Sequence, residues 1–209
     1  MTASVLIRRL GMLALTIGTL GLGACAPRVT RVAPEQAIDL SGRWNDVDSR
    51  LVADALIQQS FTPSSGQSWA SRFTQSSGGE MPTVIVGTIR NRSMEHVPVG
   101  TFVRDLERAY INSGAVQLVS SRGERDEIRD ERADQQEYAA ADTRARLRME
   151  TGADYMLQGE IQSIEDQEGG RRVVFYQVDL TLTDLENNSR VWVGQHKIKK
   201  FIERPRFGL

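Results

Sequence analysis

A chain of 209 residues with 26 basic and 27 acidic side chains is close to neutral, so it lacks the one-signed field that suits nucleic acid or an anionic surface. Aromatic residues make up 6% of it, which argues against a sugar-stacking cleft. A single cysteine leaves no pair for a disulfide or a dithiol redox site.

Arg8 and Arg9 form a short basic region ahead of Leu10 to Leu22, an apolar and glycine stretch too short to cross a bilayer core of about 30 Å. The stretch runs into Leu22-Gly23-Ala24-Cys25, the pattern of a lipobox. Small residues there let a signal peptidase approach the backbone, and a cysteine thiolate accepts diacylglycerol before cleavage. Residues 1–24 are thus expected to be a secretion signal, and Cys25 the lipid-modified start of the mature protein. With several acyl chains the attachment is effectively permanent. Ala26 follows the cysteine where Asp would favour the inner membrane; similarity to sorted lipoproteins implies the outer membrane, facing the periplasm.

Residues 25–40, with Pro27 and Pro34 and no periodicity, read as the lipidated cysteine and a tether. At about 3.4 Å per residue, such a segment reaches roughly 50 Å fully extended. Residues 41–209 are expected to form one periplasmic domain. Asn45 or Asp46 caps a helix with Val47, Leu51, Val52, Ala55 and Leu56 on its apolar side, ending near Ser60. A loop rich in Ser, Gly and Gln follows, with a helical turn around Trp69 to Phe73. Thr83 to Ile89 is a buried strand, β-branched and bounded by Pro82 and Asn91. Pro98 opens a helix to about Asn112, with Phe102, Leu106, Ala109 and Tyr110 inward, and Val116 to Val119 is a short strand.

Residues 121–138 alternate acids and arginines at helical spacing, which predicts a solvated helix packed by Ile128 and little else. A further helix is expected from Asp142 through Met149. The last third is β: Tyr155 to Ile164, Val173 to Thr183 and Arg190 to Phe201, with turns at Asp166 to Gly170 and Glu186 to Ser189. In the middle strand Val174, Tyr176, Val178, Leu180 and Leu182 share a face, and Gln177, Asp179 and Thr181 share the other. The fold class is α+β, a small mainly antiparallel sheet flanked by helices.

Few residues suggest chemistry. His96 and His196 have no second histidine at metal-ligand spacing, so no metal site is expected. There is no G-x-S-x-G, and Ser76-Ser77-Gly78-Gly79 lacks the lysine of a phosphate loop. The acids of 121–138 have basic neighbours, which lower a carboxyl pKa and do not suit a general acid. No cofactor and no enzymatic activity are expected. The segment Arg90-Asn91-Arg92-Ser93 admits two readings. Asn91 can simply shape a turn, or Arg90, Asn91 and Arg92 can form a docking edge that meets acids on a partner.

The order of lipobox, tether, amphipathic helix, Pro82-Thr83-Val84-Ile85-Val86 strand and Asn91-Arg92-Ser93 resembles the LpoB-type lipoproteins that activate penicillin-binding proteins. So do Thr151-Gly152-Ala153-Asp154-Tyr155-Met156-Leu157-Gln158-Gly159-Glu160 and Val191-Trp192-Val193-Gly194. The resemblance implies a small domain related in fold to the N-terminal domain of TolB-like proteins. It also implies a non-catalytic allosteric activator whose partner is a class A penicillin-binding protein, a bifunctional peptidoglycan synthase, with no small-molecule substrate. The family's best-known member has a long proline-rich linker, which the short segment after Cys25 does not match. Two other classes remain open: an envelope adaptor or secretion-assembly accessory on the same fold, which fold alone does not separate from an activator, and a periplasmic hydrolase. The last would need a pocket with convergent titratable groups.

Overall fold

The computed structural model describes residues 30–34, 36–63, 66–146 and 149–203, so the signal stretch, the lipobox and Cys25 lie outside the described residues. The chain divides into two compact units, Met1–Gln36 and Ala37–Leu209. In the first, the Gln36 N–H donates to the Ala33 carbonyl at 3.0 Å.

The second unit runs α1 (Asp46–Phe61), α2 (Trp69–Ser76), β1 (Thr83–Asn91), α3 (Val99–Ser113), β2 (Gln117–Val119), α4 (Arg122–Tyr138), β3 (Tyr155–Glu168), β4 (Arg171–Asp184) and β5 (Arg190–Glu203). One sheet has the order β2-β1-β3-β4-β5. β1 pairs in parallel with β2 and β3, each reached through a helical crossover, whereas β3, β4 and β5 form an antiparallel meander. The long antiparallel ladders dominate, giving the expected α+β class.

Val84, Val86, Leu157, Ile161 and the alternate β4 residues Val174 to Leu182 bury one face of the sheet. Helices α1 and α3 pack on each other and cover that face, α1 over β5 and α3 over β1 and β2. Phe102, Leu106 and Tyr110 are fully enclosed, and the two apolar ones each contribute roughly 1.5–3 kcal/mol of transfer free energy. Gly159 is required where β3 meets β4, because a Cβ there would overlap the Asp179 carbonyl and Leu180. A bulge in β1 between Val86 and Ile89 sets Ile89 opposite this glycine.

The structure departs from the sequence expectations at several points. The buried stripe of α1 is Asp48, Ser49, Val52, Ala53, Leu56, Ile57 and Ser60, while Leu51 is exposed. Polar residues take part because each has a partner inside: Ser49 Oγ accepts from Trp44 Nε1 at 2.7 Å, and Ser60 Oγ donates to the Ile57 carbonyl at 2.7 Å. Asp48 closes a capping box with Asn45 and also meets Lys200. β1 extends two residues past Ile89, so Arg90 and Asn91 belong to a strand, not to a loop. Ile128 is exposed, and α4 buries no side chain. The helix expected from Asp142 is absent among the described residues; 141–146 form a turn and irregular chain, and 147–148 lie outside them. There Ala145 N–H donates to Gln135 Oε1 and its carbonyl accepts from Gln136 Nε2, so α4 side chains take backbone groups that a helix would have paired internally.

Candidate interaction surface

The second face of the meander is built by register. Residues directly opposite in antiparallel strands share a face, so Asp166, Val173 and Phe201 form one row. The next rows are Ile164, Phe175 and Lys199, then Gln162, Gln177 and Lys197, then Glu160, Asp179 and Gln195. Arg90 pairs with Glu160 and extends the last row onto β1. In its middle, Asp179 accepts from Gln177 Nε2 at 2.7 Å and from Gln195 Nε2 at 2.8 Å. At the hairpin end the face is apolar: Ile164 is 67% and Phe201 63% exposed, with Val173 and Phe175 half-buried between them. Among the described residues the helices that build the core lie on the other face.

At one rim stands the expected docking edge. The Arg92 N–H donates to the Ile161 carbonyl at 2.7 Å, and the Arg90 and Arg92 side chains are exposed. Asn91 is committed to its own loop. Its Oδ1 accepts from the Ser93 N–H at 2.9 Å and the Ser93 hydroxyl at 2.6 Å, while its Nδ2 donates to the Glu95 carbonyl at 2.7 Å. Of the three, then, the two arginines face solvent and the asparagine shapes a turn.

That turn delivers Glu95 to the core edge. Its carboxylate accepts from the Tyr176 hydroxyl at 2.7 Å, from the Trp44 N–H at 3.3 Å and from Arg172 at 3.3 Å. Burial first, and then the Glu95 carboxylate, push the Tyr176 hydroxyl above the ordinary phenol value. Next to it, Lys200 of β5 donates to Asp48 at 2.6 Å and to the Arg43 carbonyl at 3.0 Å, and pairs with Asp39 at 2.7 Å. Burial pulls the ammonium pKa down, but the two carboxylates outweigh it and hold it above 10.5. Burial likewise raises Asp39, yet Lys200 and the Gly42 N–H hold it below the usual carboxylate range.

None of these groups makes a catalytic set. His96 is exposed after β1 and His196 half-buried in β5, and among the described residues no three His, Cys, Asp or Glu converge as metal ligands. An acidic hollow beside Phe73 contains Asp154, Asp184 and Glu186, but Asp154 accepts from the Thr83 N–H and Asp184 from two N–H groups of its own turn. Sequence reasoning missed the apolar end of the open face. The signal was present in Val173 and Phe175, which interrupt the polar side of β4.

The family model described as peptidoglycan-synthase activator LpoB matches residues 48–198, well over half of the chain. Among solved structures, the chain resembles the LpoB C-terminal domain from Escherichia coli at 13% identity and a TM-score of 0.40, covering 73% of this chain and 99% of that one. The corresponding Salmonella enterica domain is 15% identical with a TM-score of 0.32, covering 73% and 98%. Lipoprotein GNA1162 from Neisseria meningitidis is 12% identical with a TM-score of 0.38, covering 60% and 88%. No curated protein matches the sequence. At these values the structural likenesses carry no argument; the family match does. The chain belongs to the LpoB family of peptidoglycan-synthase activators.

Proposed function

We propose that this protein is an outer-membrane lipoprotein, anchored through Cys25, whose periplasmic domain binds and allosterically stimulates a class A penicillin-binding protein. Membership of the activator family is the observation that carries this reading. The open sheet face supports it, because exposed Ile164 and Phe201 at the hairpin end lie next to Lys199, with Lys197 one row further along, and so set an apolar patch against charged neighbours, two ingredients of a protein interface. An activator of this kind does no chemistry. It binds the polymerising conformation of the synthase more tightly than the resting one, and that difference is the whole of the stimulation.

The test adds the full-length protein in detergent to purified class A synthases and follows glycan polymerisation. Stimulation is expected, and Phe201→Asp with Ile164→Asp, both solvent-facing, should weaken binding by about tenfold or more while leaving the melting temperature nearly unchanged. Failure to bind or stimulate any class A synthase of the source organism overturns the proposal. Undiminished stimulation by the double variant removes the sheet face from it.

A further inference from the structure

On the helix side of the sheet, the C-terminal end of α1, the start of α2 and the first residues of β5 enclose a groove of about 300 Å³. Gln59, Gln67, Trp69, Arg72 and Trp192 line it, and among the described residues no acidic side chain does. Two of the chain's three tryptophans therefore line one groove, although aromatic residues make up only 6% of the chain.

Gly194 makes the arrangement possible. It lies two residues beyond Trp192 on the same face of β5, and a Cβ there would overlap the indole and crowd Gln59 Oε1. The ring is thus laid along the strand over the glycine. Trp192 is half-buried, while Gln59, Gln67 and Arg72 are exposed around it. Trp69 is 4% exposed, held against Phe61 and Tyr155 with ring centroids 5.6 and 5.1 Å away. Its buried indole N–H has no acceptor among the described residues. A buried donor in that state is costly and rare.

We propose that this groove binds one or two sugar rings of an N-acetylated glycan strand. A pyranose ring has an apolar face of C–H groups, which packs on a flat indole, and a rim of hydroxyl and amide groups. The carboxamides of Gln59 and Gln67 and the guanidinium of Arg72 supply donors and acceptors for that rim. The volume is at the lower end of ligand pockets, which fits a short stretch of glycan. A proline-rich peptide also docks on flat aromatics, but it offers little to the polar side chains that outnumber the aromatics here. The site lies on the opposite side of the sheet from the face proposed for the synthase, so either assignment can fail alone.

The experiment uses the full-length chain in a detergent without a sugar headgroup. It is titrated with peptide-free peptidoglycan glycan strands and with tri-N-acetylchitotriose, followed by tryptophan fluorescence and calorimetry. Saturable binding with a change in indole emission is expected. Gln59→Ala combined with Arg72→Ala, both surface positions, should weaken it about tenfold or more. Trp192→Ala should abolish it, and Phe201→Asp should leave it intact. Absence of binding by both glycans, undiminished binding by the Gln59→Ala/Arg72→Ala variant, or saturation of the groove by a proline-rich peptide in place of glycan overturns the proposal.

Discussion

Asn91 and its two arginine neighbours show how adjacent residues divide between shape and contact. All three hydrogen bonds of the Asn91 side chain close onto residues 93 and 95, and the turn they fix carries Glu95 to Tyr176, Trp44 and Arg172. Replacing Asn91 by Ala should therefore cost about 1–3 kcal/mol in denaturant unfolding, since partly buried partners lose their bonds. Arg90→Ala and Arg92→Ala should change stability by no more than about 0.5 kcal/mol, as surface positions do. The reverse is expected in synthase binding, where loss of the arginines weakens association and slows its onset at low salt. Equal stability losses at all three positions would show that the division is wrong.

Among the elements, α4 stands apart. It buries no side chain and is held by pairs at its surface: Arg104 with Glu124, and Arg129 and Arg132 with Glu150. Exposed pairs are weak and screened by salt. Raising ionic strength should speed amide exchange throughout α4 while exchange in β3 and β4 stays slow. Uniform exchange in both would mean that the helix is tied to the core after all. Why some elements were legible and others not follows the same physics. The β4 alternation and the β-branched β1 run announce burial by side chain alone. The inward face of α1 did not, because Asp48, Ser49 and Ser60 are paid for by partners distant in sequence or by backbone, which periodicity of apolar residues cannot register. The segment after Ala139 has helical spacing and makes one turn, with Arg144 N–H donating to the Ala140 carbonyl, but the next residue's backbone, that of Ala145, is claimed by Gln135 and Gln136. For the candidate surface, the motif pointed to the arginines but not to Ile164 and Phe201, whose common face exists only once the strands are in register.

At the scale of the whole molecule, the segment before α1 is joined to the far edge of the sheet by Lys200. Asp39 has a lowered folded-state pKa, so its contribution is present above the unfolded carboxyl value near 3.8 and is lost as pH falls through the lowered folded value. Lys200 has a raised folded-state pKa, so its contribution is complete below 10.5 and is lost as pH rises through the folded value. The junction should hold between those limits and open in acid. Proteolysis of residues 37–44 should accelerate below about pH 4 before the melting temperature collapses, and Lys200→Met should make the acceleration independent of pH. Retained protection in that variant would mean that Trp44 packing, not the ion pair, fastens the segment.

The junction also defines a load path. If the chain is tethered at Cys25 as proposed, tension reaching Asp39 meets the Lys200 ammonium before it reaches Trp44 and the α1 cap. Lys200 sits on β5 opposite Val174, inside a long antiparallel ladder. A pull is therefore passed sideways into many parallel hydrogen bonds, and the ion pair acts as a fuse. It can open and release several residues under strain, while the sheet, including the face proposed for the synthase, stays folded.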